Sequence, residues 1–178
     1  LRYCAIMRPF MKLILNQINR KFTQLSKIIV ILLIFYNNIL KSNDAYYPKE
    51  HLILDLKLNV YWLRCSAGQI WNNGQCEGEA VKLTMDDAKK AVELAKEQLG
   101  GDWRLPTRDE LESLVCMSCG KVKINNNFFP NTPYEPFWTG EKNEWSKNFY
   151  WSVNFLTGHT FGRFPGRIPN FVRLVRDK

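Results

Sequence analysis

"GDWRLPTRDELESLV", residues 101–115, decides how this chain is read. Thr107 stands where a helix N-cap belongs, and Glu110, three residues on, is placed to reach back to it as a capping box. Pro106 holds the incoming chain extended. Leu111, Leu114 and Val115 then recur at the spacing of one buried helix face, so a short helix is predicted. Trp103 and Leu105 alternate with Arg104 and enter the same core from a brief extended segment. Asp109, Glu110 and Glu112 also read as a carboxylate cluster, but a capped, solvated helix start accounts for all three.

Working outward, "TMDDAKKAVELAKEQL" (84–99) is the clearest helix. Thr84 caps it, and Asp86 and Asp87 suit the positive end of its dipole. Ala88, Ala91, Val92, Ala95 and Leu99 make a narrow apolar stripe, and Gly100 with Gly101 stops the helix. Upstream, "LILDLKLNVYWL" (52–63) alternates, with Leu54, Leu56, Leu58, Val60 and Trp62 on one side and Asp55, Lys57, Asn59 and Tyr61 on the other. That pattern predicts one half-buried strand. Downstream, "INNNFFPNTPYEPFW" (124–138) has too many prolines for a helix and too many aromatics for a disordered linker. It reads as a long ordered loop pinned by Phe128, Phe129, Phe137 and Trp138, the kind of segment that carries binding.

The end of the chain reads as antiparallel sheet. "FYWSVNF" (149–155) puts Trp151, Val153 and Phe155 on one face, "LTGH" (156–159) turns, and "TFGRF" returns. "GRIPN" is another loop. "FVRLVR" (171–176) is a final strand, setting Val172 and Leu174 against Arg173 and Val175. Two helices between an N-terminal strand and short C-terminal strands make an α+β order.

The front of the chain differs in kind. Residues 28–36, "IIVILLIFY", are apolar, and Lys12, Arg20, Lys21 and Lys27 precede them. This is the charge order of a secretory signal peptide, with a run too short to span a membrane comfortably. Ala45 is the candidate cleavage point. Asn43, three places from the cut, disfavours cleavage and leaves an uncleaved anchor as the alternative. Residues 1–45 are therefore expected to meet the membrane during export, and residues 46–178 to form the mature domain, secreted, periplasmic or at the cell surface.

Charge divides along the same line. Residues 1–45 hold seven Lys/Arg and one Asp, net +6, whereas residues 46–178 hold eighteen Lys/Arg and sixteen Asp/Glu, net +2. The mature domain is only mildly basic, so nucleic acid is not the expected partner. Its cations gather late: Lys147, Arg163, Arg167, Arg173, Arg176 and Lys178 face only Asp177 within 145–178.

The mature domain has four cysteines, an even number in a small exported domain. Cys65 and Cys76 bracket a polar loop that a disulfide would clip, contributing about 2–3 kcal/mol in the chain-entropy model. Cys116 and Cys119 form a C-x-x-C that is a second structural disulfide, a metal pair or a redox-active pair. Zinc would have to draw on His51 and His159 at unsuitable spacing, so no metal and no cofactor are expected.

Taken together, "WLRCSAGQIWNNGQCEGEA" (62–80), "DWRLPTRDELESLV" (102–115), "FFPNTPYEPFWT" (128–139), "YWSVNFLTG" (150–158) and "FVRLVR" resemble, in that order, an exported bacterial family. This is the Lcl C-terminal domain, which closes the Legionella collagen-like adhesin. The resemblance spans roughly residues 60–178. It implies a C-type-lectin-like fold with two short helices, small antiparallel sheets and long ordered loops. It further implies adhesion, binding of sulfated glycosaminoglycans through basic surface, and trimers. Residues 1–59 carry no collagen-like repeat, which leaves the trimer open. "EPF" (135–137) and "WNN" (71–73) do not match the Glu-Pro-Asn and Trp-Asn-Asp elements of calcium-dependent lectins, so a calcium sugar site is not expected. The related formylglycine-generating enzymes share a Leu-Pro-Thr-like stretch, but no counterpart of their copper-binding thiol pair is present.

Two classes of function follow. The first is a binding or adhesion module that meets an anionic polysaccharide or host surface through Lys147, Arg163, Arg167, Arg173 and Arg176. A structural part of a cell-surface assembly would look the same in sequence. The second is a thiol enzyme using Cys116 or His159, which is disfavoured because nothing brings that imidazole to that sulfur. No catalytic residue is therefore assigned.

Overall fold

The computed structural model describes Lys27 and residues 45–178. Apart from Lys27 and Ala45, the leader or anchor expected over residues 1–45 lies outside the described residues. Residues 45–178 form one compact α+β unit.

Four strands make the first antiparallel sheet: β1 (Tyr46–Lys49), β2 (Leu52–Asp55), β3 (Val60–Leu63) and β9 (Val175–Asp177), in the order β1-β2-β3-β9. The single strand expected over 52–63 is instead a hairpin, β2 and β3. Asp55 causes the reversal. Its Oδ1 accepts hydrogen bonds from the Lys57 and Leu58 backbone N–H groups at 2.9 and 3.1 Å, an Asx turn. Asn59 completes the turn at φ 58°, in the left-handed region asparagine tolerates. Leu56, expected inward, is exposed on this turn, while Asp55, expected outward, is buried.

A small hairpin, β4 (Ile70–Asn72) with β5 (Gln75–Glu77), is tied to β3 by the Cys65–Cys76 disulfide. Helix α1 (Met85–Leu99) follows. Thr84 Oγ1 accepts from Asp87 N, and Gly100 ends the helix at φ 67°. Met85, Ala88, Val92 and Ala95 are its buried residues; Leu99, expected in the stripe, is exposed in the last turn.

Helix α2 (Arg108–Ser113) has the full capping box: Glu110 N donates to Thr107 Oγ1, and Thr107 N donates to the Glu110 carboxylate at 2.7 Å. Arg104 adds a bond that the capping pattern does not show. Its two terminal nitrogens reach the Glu110 carboxylate at 2.7 and 2.8 Å, and one also reaches Asp177 at 2.7 Å. Burial pushes the Glu110 carboxyl up, but the Arg104 guanidinium and the Thr107 amide outweigh it, so its pKa sits below the ordinary value. Arg104 also exchanges both backbone hydrogen bonds with Val175. The 101–115 stretch thus clamps the end of the chain to the start of α2.

The last sheet is β6 (Pro136–Asn143), β7 (Ser146–Asn154) and β8 (His159–Pro165), in that order and antiparallel. A bulge between Tyr150 and Ser152 breaks the expected alternation. Val153 and Phe155 are fully buried as expected; Trp151 is only half-buried.

Two apolar clusters fill the interior. One holds Ile53, Trp62, Leu111, Leu114, Phe129, Phe137, Val153 and Phe155. The other is built on α1, with Trp103, Trp138 and Tyr150. The extended segment 171–175 serves both, sending Phe171 and Val175 into the first and Val172 and Leu174 into the second. Every residue from Phe171 to Val175 is buried, and only Val175–Asp177 is strand, so the outward arginine expected at position 173 is an interior one.

Candidate functional site

The five cations expected to make a binding surface divide into three groups. Lys147 on β7, Arg163 on β8 and Arg167 just beyond β8 are exposed. Among the described residues no carboxylate lies in ion-pair range of any of them. The Gly166 N–H donates to Asn148 O at 3.3 Å and so sets Arg167 beside Lys147, while Phe149 pairs with Pro165, two residues from Arg163. These three belong to the β7–β8 side of one sheet.

Arg176 belongs elsewhere. It sits on β9, half-buried, its guanidinium 5.1 Å from the Tyr61 ring and 5.3 Å from Trp103. It serves as a stacked cover on the first sheet.

Arg173 is not on the surface at all, being 0% exposed. Its guanidinium donates to Leu63 O at 2.9 Å, to Arg64 O, and to Thr132 Oγ1 at 2.7 Å, with the Phe129 ring 4.8 Å away. Burial without an acid partner pushes its pKa down to about 9. Alternation within 171–176 puts Arg173 on the face opposite Val172 and Leu174, pointing outward. The carbonyls that recruit it inward lie 109 and 110 residues away in sequence. The four arginines 163, 167, 173 and 176 therefore do not line one groove.

The long loop is held from inside as well. Arg64 donates to Asn127 O and Phe128 O, each at 2.8 Å, and its guanidinium lies 3.9 Å from the Trp71 ring. Arg64 and Arg173 convert an irregular loop into an ordered one by satisfying its carbonyls and hydroxyl.

The sequence reading missed a cleft. A hollow of about 390 Å³ is lined by Arg108, Glu141, Lys142, Glu144, Trp145 and Trp151. Trp145, at the β6–β7 turn, is 88% exposed. The signal was present: a lone tryptophan in "EKNEWSKN" (141–148) has no apolar neighbour to justify it.

Both cysteine pairs are disulfides, Cys65–Cys76 and Cys116–Cys119. Cys116 is bonded, and His159 packs edge-on to Phe161 with ring centroids 6.5 Å apart. Among the described residues, no group of three or more His, Cys, Asp or Glu is placed to hold a metal ion.

No curated protein matches the chain. The family model of the Lcl C-terminal domain matches residues 51–176, which begins in the β1–β2 turn and ends inside β9 and so takes in both helices, both disulfides and the three-stranded sheet. With most of its length matched, this chain belongs to the Lcl C-terminal domain family.

Proposed function

We propose that the folded unit is an extracytoplasmic binding module that docks on an anionic polysaccharide, such as a sulfated glycosaminoglycan, through Lys147, Arg163 and Arg167. One observation carries the reading: three exposed cations on or just beyond the paired strands β7 and β8, with no carboxylate in ion-pair range among the described residues. Guanidinium forks and an ammonium suit sulfate and carboxylate. The membership of an adhesin-associated family supports a binding role, and two disulfides are compatible with an oxidising location. The two helices, small sheets and arginine-braced loop suit the C-type-lectin-like scaffold that the resemblance implies.

Three cations make a weak site on their own. An oligomer such as the implied trimer would present several copies to one polymer and gain avidity without any new interaction. Calorimetric titration with a sulfated hexasaccharide and with its desulfated form tests the proposal. Binding of the sulfated form alone is expected; equal binding of both, or of neither, overturns it.

A further inference from the structure

The cleft beside α2 has a different character from the basic edge, and it stands on separate observations. Trp145 is the most exposed large apolar side chain among the described residues. An indole left in water at a hairpin tip gains nothing for folding. Its backbone, however, is firmly held. Asn143, itself buried, accepts from the Trp145 N–H through Oδ1 at 2.9 Å and donates through Nδ2 to Gly162 O at 2.7 Å. The turn is therefore pinned to β8, and the indole is displayed from a fixed base.

The opposite wall is also set. Trp151 packs so closely on Gly162 that a Cβ there would lie 2.7 Å from the ring, and the Arg108 guanidinium is 5.0 Å from that ring. Trp151 is consumed by this packing and forms the wall, while Trp145 keeps its ring free. Around them stand Lys142, two carboxylates, Glu141 and Glu144, and Arg108, whose charge is already taken up by Asp109 at 3.2 Å and Glu112 at 3.8 Å. The volume is at the lower end of the roughly 300–1,000 Å³ of small-ligand sites.

We infer that this cleft binds a neutral pyranose, stacked by its C–H face on Trp145. A flat apolar ring beside both donors and acceptors matches a sugar, which has an apolar face and a rim of hydroxyls that donate and accept. The two carboxylates repel sulfate, so the ligand differs from the polymer proposed for Lys147, Arg163 and Arg167. Glu141 and Glu144 accept hydrogen bonds from the sugar hydroxyls, and Lys142 donates one.

Saturation-transfer NMR on the full chain, with maltotriose, cellotriose and chitotriose as probes, tests this. At least one of the three is expected to saturate at millimolar concentration, with an affinity that does not change with added salt. Trp145→Ala weakens it at least tenfold and Trp145→Phe by less, with circular dichroism unchanged in both. The same affinity survives replacement of Lys147, Arg163 and Arg167, which separates this outcome from that of the anionic polymer. If none of the three sugars saturates, if Trp145→Ala binds as well as the parent, or if only adenosine or a proline-rich peptide binds, the inference is wrong.

Discussion

Arg173 donates to Thr132 Oγ1 at 2.7 Å across 41 residues of sequence, and both groups are buried. The same guanidinium holds the Leu63 and Arg64 carbonyls at the end of β3, so one side chain ties the long loop to that strand. Replacing it with alanine takes its donor away from two interior carbonyls, while the Thr132 hydroxyl keeps its bond to Phe129 O at 2.8 Å. Arg173→Ala is expected to cost about 2–5 kcal/mol in urea unfolding, from two unpaired carbonyls and the cavity left behind. Such a loss marks an interior brace; a stability within experimental error of the parent would mean that the loop is held by something else.

Glu110 carries a pH dependence. Its folded pKa lies below the ordinary 4.5, so its contribution is fully present above 4.5 and is lost as pH falls through the lower folded value. Glu110→Gln should cost about 2 kcal/mol near neutrality, the scale of a charge-assisted hydrogen bond. The difference from the parent should shrink in acid, where the parent carboxylate is itself protonated. A gap that stays constant with pH would remove the Arg104 pairing as its cause.

Gly162 tests the wall of the cleft. Alanine there puts a methyl group 2.7 Å from the Trp151 ring. Overpacking of this kind costs about 1–3 kcal/mol and forces the indole away from Arg108. Changed near-ultraviolet circular dichroism with lower stability is expected; a silent Gly162→Ala would show that the ring has room to move.

The two disulfides should differ. Cys65–Cys76 closes a separation of 11 residues and Cys116–Cys119 one of 3. In the chain-entropy model, removing the first costs about 3 kcal/mol and the second about 2. Paired serine variants, compared by urea unfolding, check the order. A reversal would mean that the second bridge secures native packing as well as closing its loop.

What is legible in the sequence is local. The capping box joins Thr107 to Glu110 over three residues, and the α1 stop needs only Gly100, so both follow from the chain's immediate neighbours. The disulfide at Cys65–Cys76 needs only a short polar loop. The differences from expectation have non-local or masked causes. In 52–63, Asp55 and Asn59 make a turn, but the leucines around them complete an apparent period of two. At 173 the alternation is real, yet the arginine is drawn inside by carbonyls more than a hundred residues away. Trp145 belongs to no periodic face, so periodicity does not single it out.

The salt dependence of heparin binding, measured for the parent and for the Lys147→Ser, Arg163→Ser, Arg167→Ser triple variant, tests the central claim most directly. The parent's affinity should fall steeply as ionic strength rises and screens exposed charges. The triple variant should bind weakly at every salt concentration, with a flattened slope. Parent binding that ignores salt, or a triple variant indistinguishable from the parent, would contradict the account.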